Sequence, residues 1–225
     1  KPRVKLYVKR VFITDDCEDL MPSWLRFVRG VVDSEDLPLN ISREMLQHNP
    51  VVTRIRKALV KRVLNELAKK AAKAPEDYDT FWDNFGAVLK EGLYESDEYR
   101  EQILDLIKAP STASDGLVGL AQYVERMKPG QDDIYYIIGE ELEGLRHSPQ
   151  IEGLAARGVE VLLFTDPIDE FWTGRATDYK GKPFKSATRG DIDLSKIEGD
   201  DKDGDEKDEK DEAAPEIDAL IAAFK

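Results

Sequence analysis

The 225 residues include one cysteine, Cys17, and two histidines, His48 and His147. A lone cysteine cannot close an internal disulfide, and so little Cys and His leaves no ligand spacing for a structural zinc. That economy fits a reducing, cytoplasmic setting. No stretch reaches the about eighteen apolar residues of a membrane span, and Lys1-Pro2-Arg3-Val4 opens without methionine or a signal-peptide core. The expectation is a piece of a longer chain. Neither GxGxxG nor the Gly-rich phosphate loop ending in Gly-Lys-Ser/Thr occurs, so no nucleotide cradle is visible. A GxSxG elbow is also missing, and two histidines give a Ser-His-Asp hydrolase little to build on.

What is present is enough for a packed interior. The apolar fraction is 41%, charged residues make up 35%, and the net charge is −13. The charge is unevenly spread. Residues 1–75 carry 16 Lys/Arg against 9 Asp/Glu, so the rest of the chain holds −20. Between Glu198 and Glu212 stand ten acids and three lysines with no large apolar side chain. Such a segment cannot bury enough surface to offset its ordering entropy, and reads as a disordered, self-repelling linker. After it, Ile217, Leu220, Ile221 and Phe224 fall on one helical face.

In the folded part, VKLYVKRVFIT reads as a strand and RFVRGVVDS as another, with a turn of helix at 21–25 between them. Ser42 stands where an N-cap would accept a backbone N–H, opening a short helix through Gln47. Asn49-Pro50 is a cap followed by proline at the first helical position. Val52, Ile55, Leu59, Val63 and Leu67 then recur on one stripe of a long helix that ends before Pro75. Helical patterns follow around 78–89 and 98–107, with Phe81, Trp82 and Phe85 as core candidates. From residue 117 the rhythm becomes helix, strand DIYYII, helices over 140–157, strand VEVLLF, helix from about Asp166 and a last strand at KPFKSA. Two apolar strands linked by a helical crossover predict a parallel pair. The fold class expected is α/β: two αβα layered units joined by a helical segment, then the acidic linker.

Chemistry is sparsely signalled by the residues alone. The basic helix 50–73 could be pictured on nucleic acid, but an exposed amphipathic helix shows the same cations, and no interleaved aromatics offer base stacking. Near carboxylates in so charged a chain read as solvated surface, not as a metal site. A small-molecule site near Thr165 and Asp166 has only topology behind it.

The segment DSEDLPLNISREMLQHNPVVTRIRKALVKRVL resembles the catalytic-loop region of the 90-kilodalton heat-shock protein chaperones in their bacterial form. VKLYVKRVFI, FVRGVVDSEDLPLNISREMLQ, IYYI, GVEVLLFTDPIDEF and GKPF match in order, over about residues 3 to 186. The resemblance implies the middle segment of an ATP-dependent chaperone. Arg43 would reach the γ-phosphate of ATP held with Mg in a separate N-terminal domain, and Gln47 would support that loop. An arginine is always charged and presents a planar fork suited to a transferring phosphoryl group. At spacing i, i+4 on a short helix, Arg43 and Gln47 would share a face. Leu37 and Leu39 would pack against the nucleotide domain.

The resemblance also implies a surface for unfolded client proteins at Ile168, Asp169, Glu170, Phe171 and Trp172. Trp24 and Trp82 are expected inside. The implied organisation is residues 1–75 as the C-terminal part of a larger αβα unit with the catalytic loop, 76–116 as a helical connector and 117–197 as a small αβα unit. Residues 198–215 are then the acidic linker, and 216–225 begin the helix of a C-terminal domain. Without its nucleotide and dimerisation domains the chain is expected to hydrolyse no ATP, to hold no cofactor or metal, and to be monomeric. The full-length protein would be a homodimeric ATPase, open to co-chaperones but not to nucleic acid or membrane. The alternative is a stand-alone protein-binding module with no part in nucleotide hydrolysis.

Overall fold

The computed structural model describes residues 3–15, 17–188, 192 and 194–197. The acidic linker and the terminal helix expected at 198–225 lie outside the described residues.

The first sheet is built on β1 (Arg3–Val8), which lies between β2 (Val11–Thr14), antiparallel to it, and β3 (Arg29–Ser34), parallel to it. Val4, Leu6 and Val8 alternate into the core while Lys5 faces out, the period-2 pattern of a strand with one buried face. The opening run VKLYVKRVFIT is therefore two strands, not one. Lys9 and Arg10 both adopt left-handed backbone, with φ of 48° and 66°, which turns the chain in two residues. Lys9 N–H donates to the Ser34 carbonyl and Arg10 N–H to Asp33 Oδ1, so β3 holds the turn that no Asn-Gly pair announced.

After β3 come α1 (Arg43–Leu46), α2 (Pro50–Lys73), α3 (Pro75–Glu95) and α4 (Arg100–Leu104). Asn49 Oδ1 accepts from the N–H groups of Val51 and Val52, satisfying two of the donors that a helix start leaves free. On α2 the buried residues are Val52, Val60, Leu64 and Leu67, while Ile55, Leu59 and Val63 flank them half-buried. The expected stripe is turned by one position along its second half. Helix α3 runs longer than its pattern, and carries Tyr78, Trp82, Leu89 and Leu93 inward.

A two-stranded ribbon of β4 (Lys108–Ala109) and β5 (Val118–Gly119) leads into α5 (Leu120–Glu125). The second sheet has the order β7-β6-β9-β8, from β6 (Ile134–Ile138), β7 (Leu162–Phe164), β8 (Asp178–Tyr179) and β9 (Lys182–Ser186). The pair β6–β7 is parallel as expected, with α6 (Leu142–Arg146) and α7 (Glu152–Ala155) between them in sequence. β9 is also parallel to β6 and closes a hairpin with β8. Strand β6 is buried on both faces. Tyr135 and Ile137 join Leu145, Ile151, Leu154 and Leu163 on one side; Ile134 and Tyr136 join Leu162, Phe164 and Trp172 on the other.

That second group is continuous with the core under the first sheet, through Trp24, Trp82, Leu89 and Leu93. Helix α3 is thus the common wall of both halves. Trp24 and Trp82 are buried as expected. No helix among the described residues is long and apolar enough to cross a membrane.

Candidate functional site

Between β3 and α2 the chain makes an exposed loop fastened by buried anchors. Leu37, Ile41 and Leu46 are buried, whereas Leu39, Glu44, Met45, Gln47 and His48 face solvent. Ser42 caps α1 by accepting from the Met45 N–H, which places Arg43 at the first helical position. A four-residue helix anchored by the buried Leu46, with Glu44 and Met45 outside, keeps its backbone in one place while presenting its outer face.

One expectation for this loop needs correction. Helix α1 ends at Leu46, and at its C-cap Gln47 (φ −63°, ψ 131°) the chain leaves the helix. His48, at φ 61°, then reverses the chain into the Asn49 cap. Leu37 is 1% exposed and packs into this chain's own core, so it has no surface for another domain; Leu39, at 51%, does. Below the loop lies a cavity of about 360 Å³ whose lining includes Trp24, Leu46, His48, Arg56, Glu95 and Tyr99.

The second expected site, residues 168–172, divides by burial. Asp169 and Trp172 are fully buried and Ile168 is half-buried against the core, so these three do not form an open patch. The reason is helical geometry: α8 (Asp169–Trp172) is a single turn, and Trp172 inserts between Phe164 and Phe184 with ring centroids at 5.3 and 5.5 Å. Glu170 is exposed, and Phe171 is 57% exposed. Phe171 meets Tyr94 of α3 edge-on at 6.1 Å, and the Arg175 guanidinium lies 5.1 Å over the Tyr94 ring.

Beneath this aromatic pair is a buried ionic cluster that the sequence did not disclose. Lys90 of α3 is 3% exposed, and its Nζ lies 2.6 Å from Asp169 Oδ1 and 2.7 Å from Asp166 Oδ2. Asp169 also accepts from the Trp172 indole N–H at 2.6 Å and from the Asp166 backbone N–H at 3.0 Å. Burial pushes the Asp169 carboxyl above the usual carboxylate range, while Lys90 and the indole pull it back. The one available signal was position: Lys90 falls on the stripe of Trp82, Gly86, Leu89 and Leu93, where a charge needs a partner. Asp166, the residue that topology offered for a small-molecule site, is engaged by Lys90.

The described residues hold no group of three or more His, Cys, Asp or Glu side chains placed to bind a metal ion.

All 225 residues match the sequence profile of the family described as Hsp90 protein. The chain is 58% identical over 226 residues to the chaperone protein HtpG of Paramagnetospirillum magneticum, covering all of this chain and 36% of that protein. It is 55% identical to the chaperone protein HtpG of Mesorhizobium japonicum, again over all of this chain and 35% of the relative. It therefore spans about a third of the length of these relatives. Among solved structures, the middle domain of a Plasmodium falciparum heat shock protein superposes with a TM-score of 0.72 at 34% identity, covering 83% of this chain and 74% of that one.

Proposed function

The chain belongs to the Hsp90 protein family, and from that premise we propose that it acts as the middle segment of an ATP-driven chaperone, presenting Arg43 to a γ-phosphate bound elsewhere. The observation that carries this reading is the loop itself. Its buried Leu37, Ile41 and Leu46 and its Ser42 cap hold the helix start that bears Arg43, on a stretch otherwise exposed. A guanidinium is always charged, and its planar fork suits charge on a phosphoryl group. Gln47 and Leu39, both exposed, are available to a neighbouring domain, with Gln47 steadying the loop at its end.

The phosphates and their metal belong, in this reading, to an N-terminal domain outside these residues, and the chain alone turns over no ATP. Unfolded client proteins meet the surface around Glu170 and Phe171. In the full-length protein a C-terminal domain pairs two copies in the cytoplasm.

Single-turnover ATP hydrolysis by the full-length protein tests the reading. Arg43→Ala should slow the step tenfold or more, about 1.4 kcal/mol, with ATP binding intact, and Arg43→Lys should restore only part of the rate. Unchanged hydrolysis in Arg43→Ala would return Arg43 to the status of a surface residue. The second reading, a stand-alone binding module, rests on the exposed Phe171–Tyr94 pair. It predicts client binding that ignores nucleotide after the ATP-binding domain is added back.

A further inference from the structure

We propose that the client surface is a composite of Phe171, Tyr94 and Arg175 rimmed by uncompensated acids, and that it selects extended polypeptide segments in which an apolar side chain is flanked by lysine or arginine. The inference rests on the reading of Phe171 as a client contact, and adds to it two residues from other parts of the chain and a sequence preference.

The aromatic half of the surface is assembled by the tertiary fold. Tyr94, on the last turn of α3, is 43% exposed and Phe171 57%; their rings meet at 6.1 Å, and together they offer a wet apolar ledge. Arg175 covers one face of Tyr94 and at the same time lines an adjoining cleft of about 400 Å³, so ledge and cleft are continuous. An apolar side chain set on such a ledge, with a polar rim around it, has the anatomy of a protein-binding patch.

The cleft decides the sign of the partner. Its cations are already engaged: Arg100 pairs with Asp97, Lys180 sits 3.0 Å from Asp105, and Arg175 lies over Tyr94 with Asp97 at 3.9 Å. Its acids are not all engaged. Among the described residues Glu101 has no ion-pair partner, and Asp178 accepts only the Gly181 backbone N–H. Glu170, beside Phe171, is exposed and likewise carries no pair among the described residues. Three open carboxylates around an aromatic ledge favour a segment that brings its own cations and disfavour one that brings carboxylates.

Fluorescence anisotropy on the 225-residue chain tests this with two short labelled peptides of glycine and serine, one centred on Lys-Phe-Lys and one on Glu-Phe-Glu. The lysine peptide should bind about tenfold or more tightly than the glutamate peptide, a difference of about 1.4 kcal/mol. Tyr94→Ala and Phe171→Ala should each weaken it severalfold. The double change Glu101→Lys with Glu170→Lys should reverse the preference. Equal binding of the two peptides, or a preference untouched by the charge reversal, would overturn the proposal. A parallel titration with a permanently unfolded protein, reduced and carboxymethylated α-lactalbumin, separates the two levels. Loss of its binding in Phe171→Ala but not in Tyr94→Ala would leave Phe171 a client contact and reject the composite surface. No loss in either would reject the client contact itself.

Discussion

Lys90 Nζ and Asp169 Oδ1 lie 2.6 Å apart across 79 residues of sequence, both buried, where helix α3 meets the single turn α8. The pair stands at the wall shared by the two halves of the molecule, and its Asp169 lies on the same helical turn as the exposed Phe171. Asp169 has two further donors, the Trp172 indole and the Asp166 backbone, so its carboxylate is fully engaged.

Lys90→Met should be among the most damaging single changes in the chain. It strips the cation from a buried carboxylate, a loss that costs about 3–5 kcal/mol. Adding Asp169→Asn should recover much of the loss, because the amide is neutral and its oxygen can still accept from the Trp172 indole. Urea midpoints of the two variants check this. A double variant no more stable than Lys90→Met would show that packing, not uncompensated charge, sets the cost.

The same cluster predicts a pH dependence. Burial holds the Asp169 carboxyl above its ordinary value of 3.8, so the native state keeps that proton to higher pH than the unfolded chain does. Its contribution to stability is therefore full below about 3.8 and is lost as pH rises through the native value. Removing Lys90 removes the main influence that lowers the native value, and the window widens upward. The penalty of Lys90→Met should accordingly shrink as the pH is lowered. Unfolding measured across a pH series reads it directly, and a penalty constant across the whole series would argue against a buried carboxylate as its source.

Two glycines in helices should respond to alanine with opposite signs. At Gly92 a Cβ would fall 2.7 Å from both the Trp24 ring and the Ile103 side chain, each in the core. Overpacking of this kind costs about 1–3 kcal/mol, which outweighs the gain of about 1 kcal/mol in helix propensity. At Gly144, in α6, a Cβ meets nothing within 4 Å, so only the propensity gain remains. Thermal midpoints should fall for Gly92→Ala and rise for Gly144→Ala. A rise in both would mean that α3 does not press on Trp24 as closely as the structure has it.

Local chemistry was legible in the residues wherever a short-range interaction controls the outcome. Asn49-Pro50 announced the start of α2 and Pro75 its end, because capping and a missing N–H act within one turn. The apolar runs at 134–138 and 159–164 announced a parallel pair of strands, because each is short and β-rich and a helical crossover joins them. The order of motifs also carried the family. What the sequence could not disclose depends on partners far along the chain. The turn at Lys9–Arg10 is held by Asp33 and Ser34, which no local signal marks.

The segment at 168–172 divides for the same reason. Residues 168–172 read as one patch, but a single helical turn must point its side chains in different directions, and only the position of the second sheet decided that Trp172 goes in and Phe171 stays out. Leu37 and Leu39, two residues apart, were separated in the same way. Periodicity and capping thus determined which segments are helix or strand. Burial depends on what stands opposite a side chain, and that was settled only when α3 brought Lys90 and Tyr94 against the turn that carries Asp169 and Phe171.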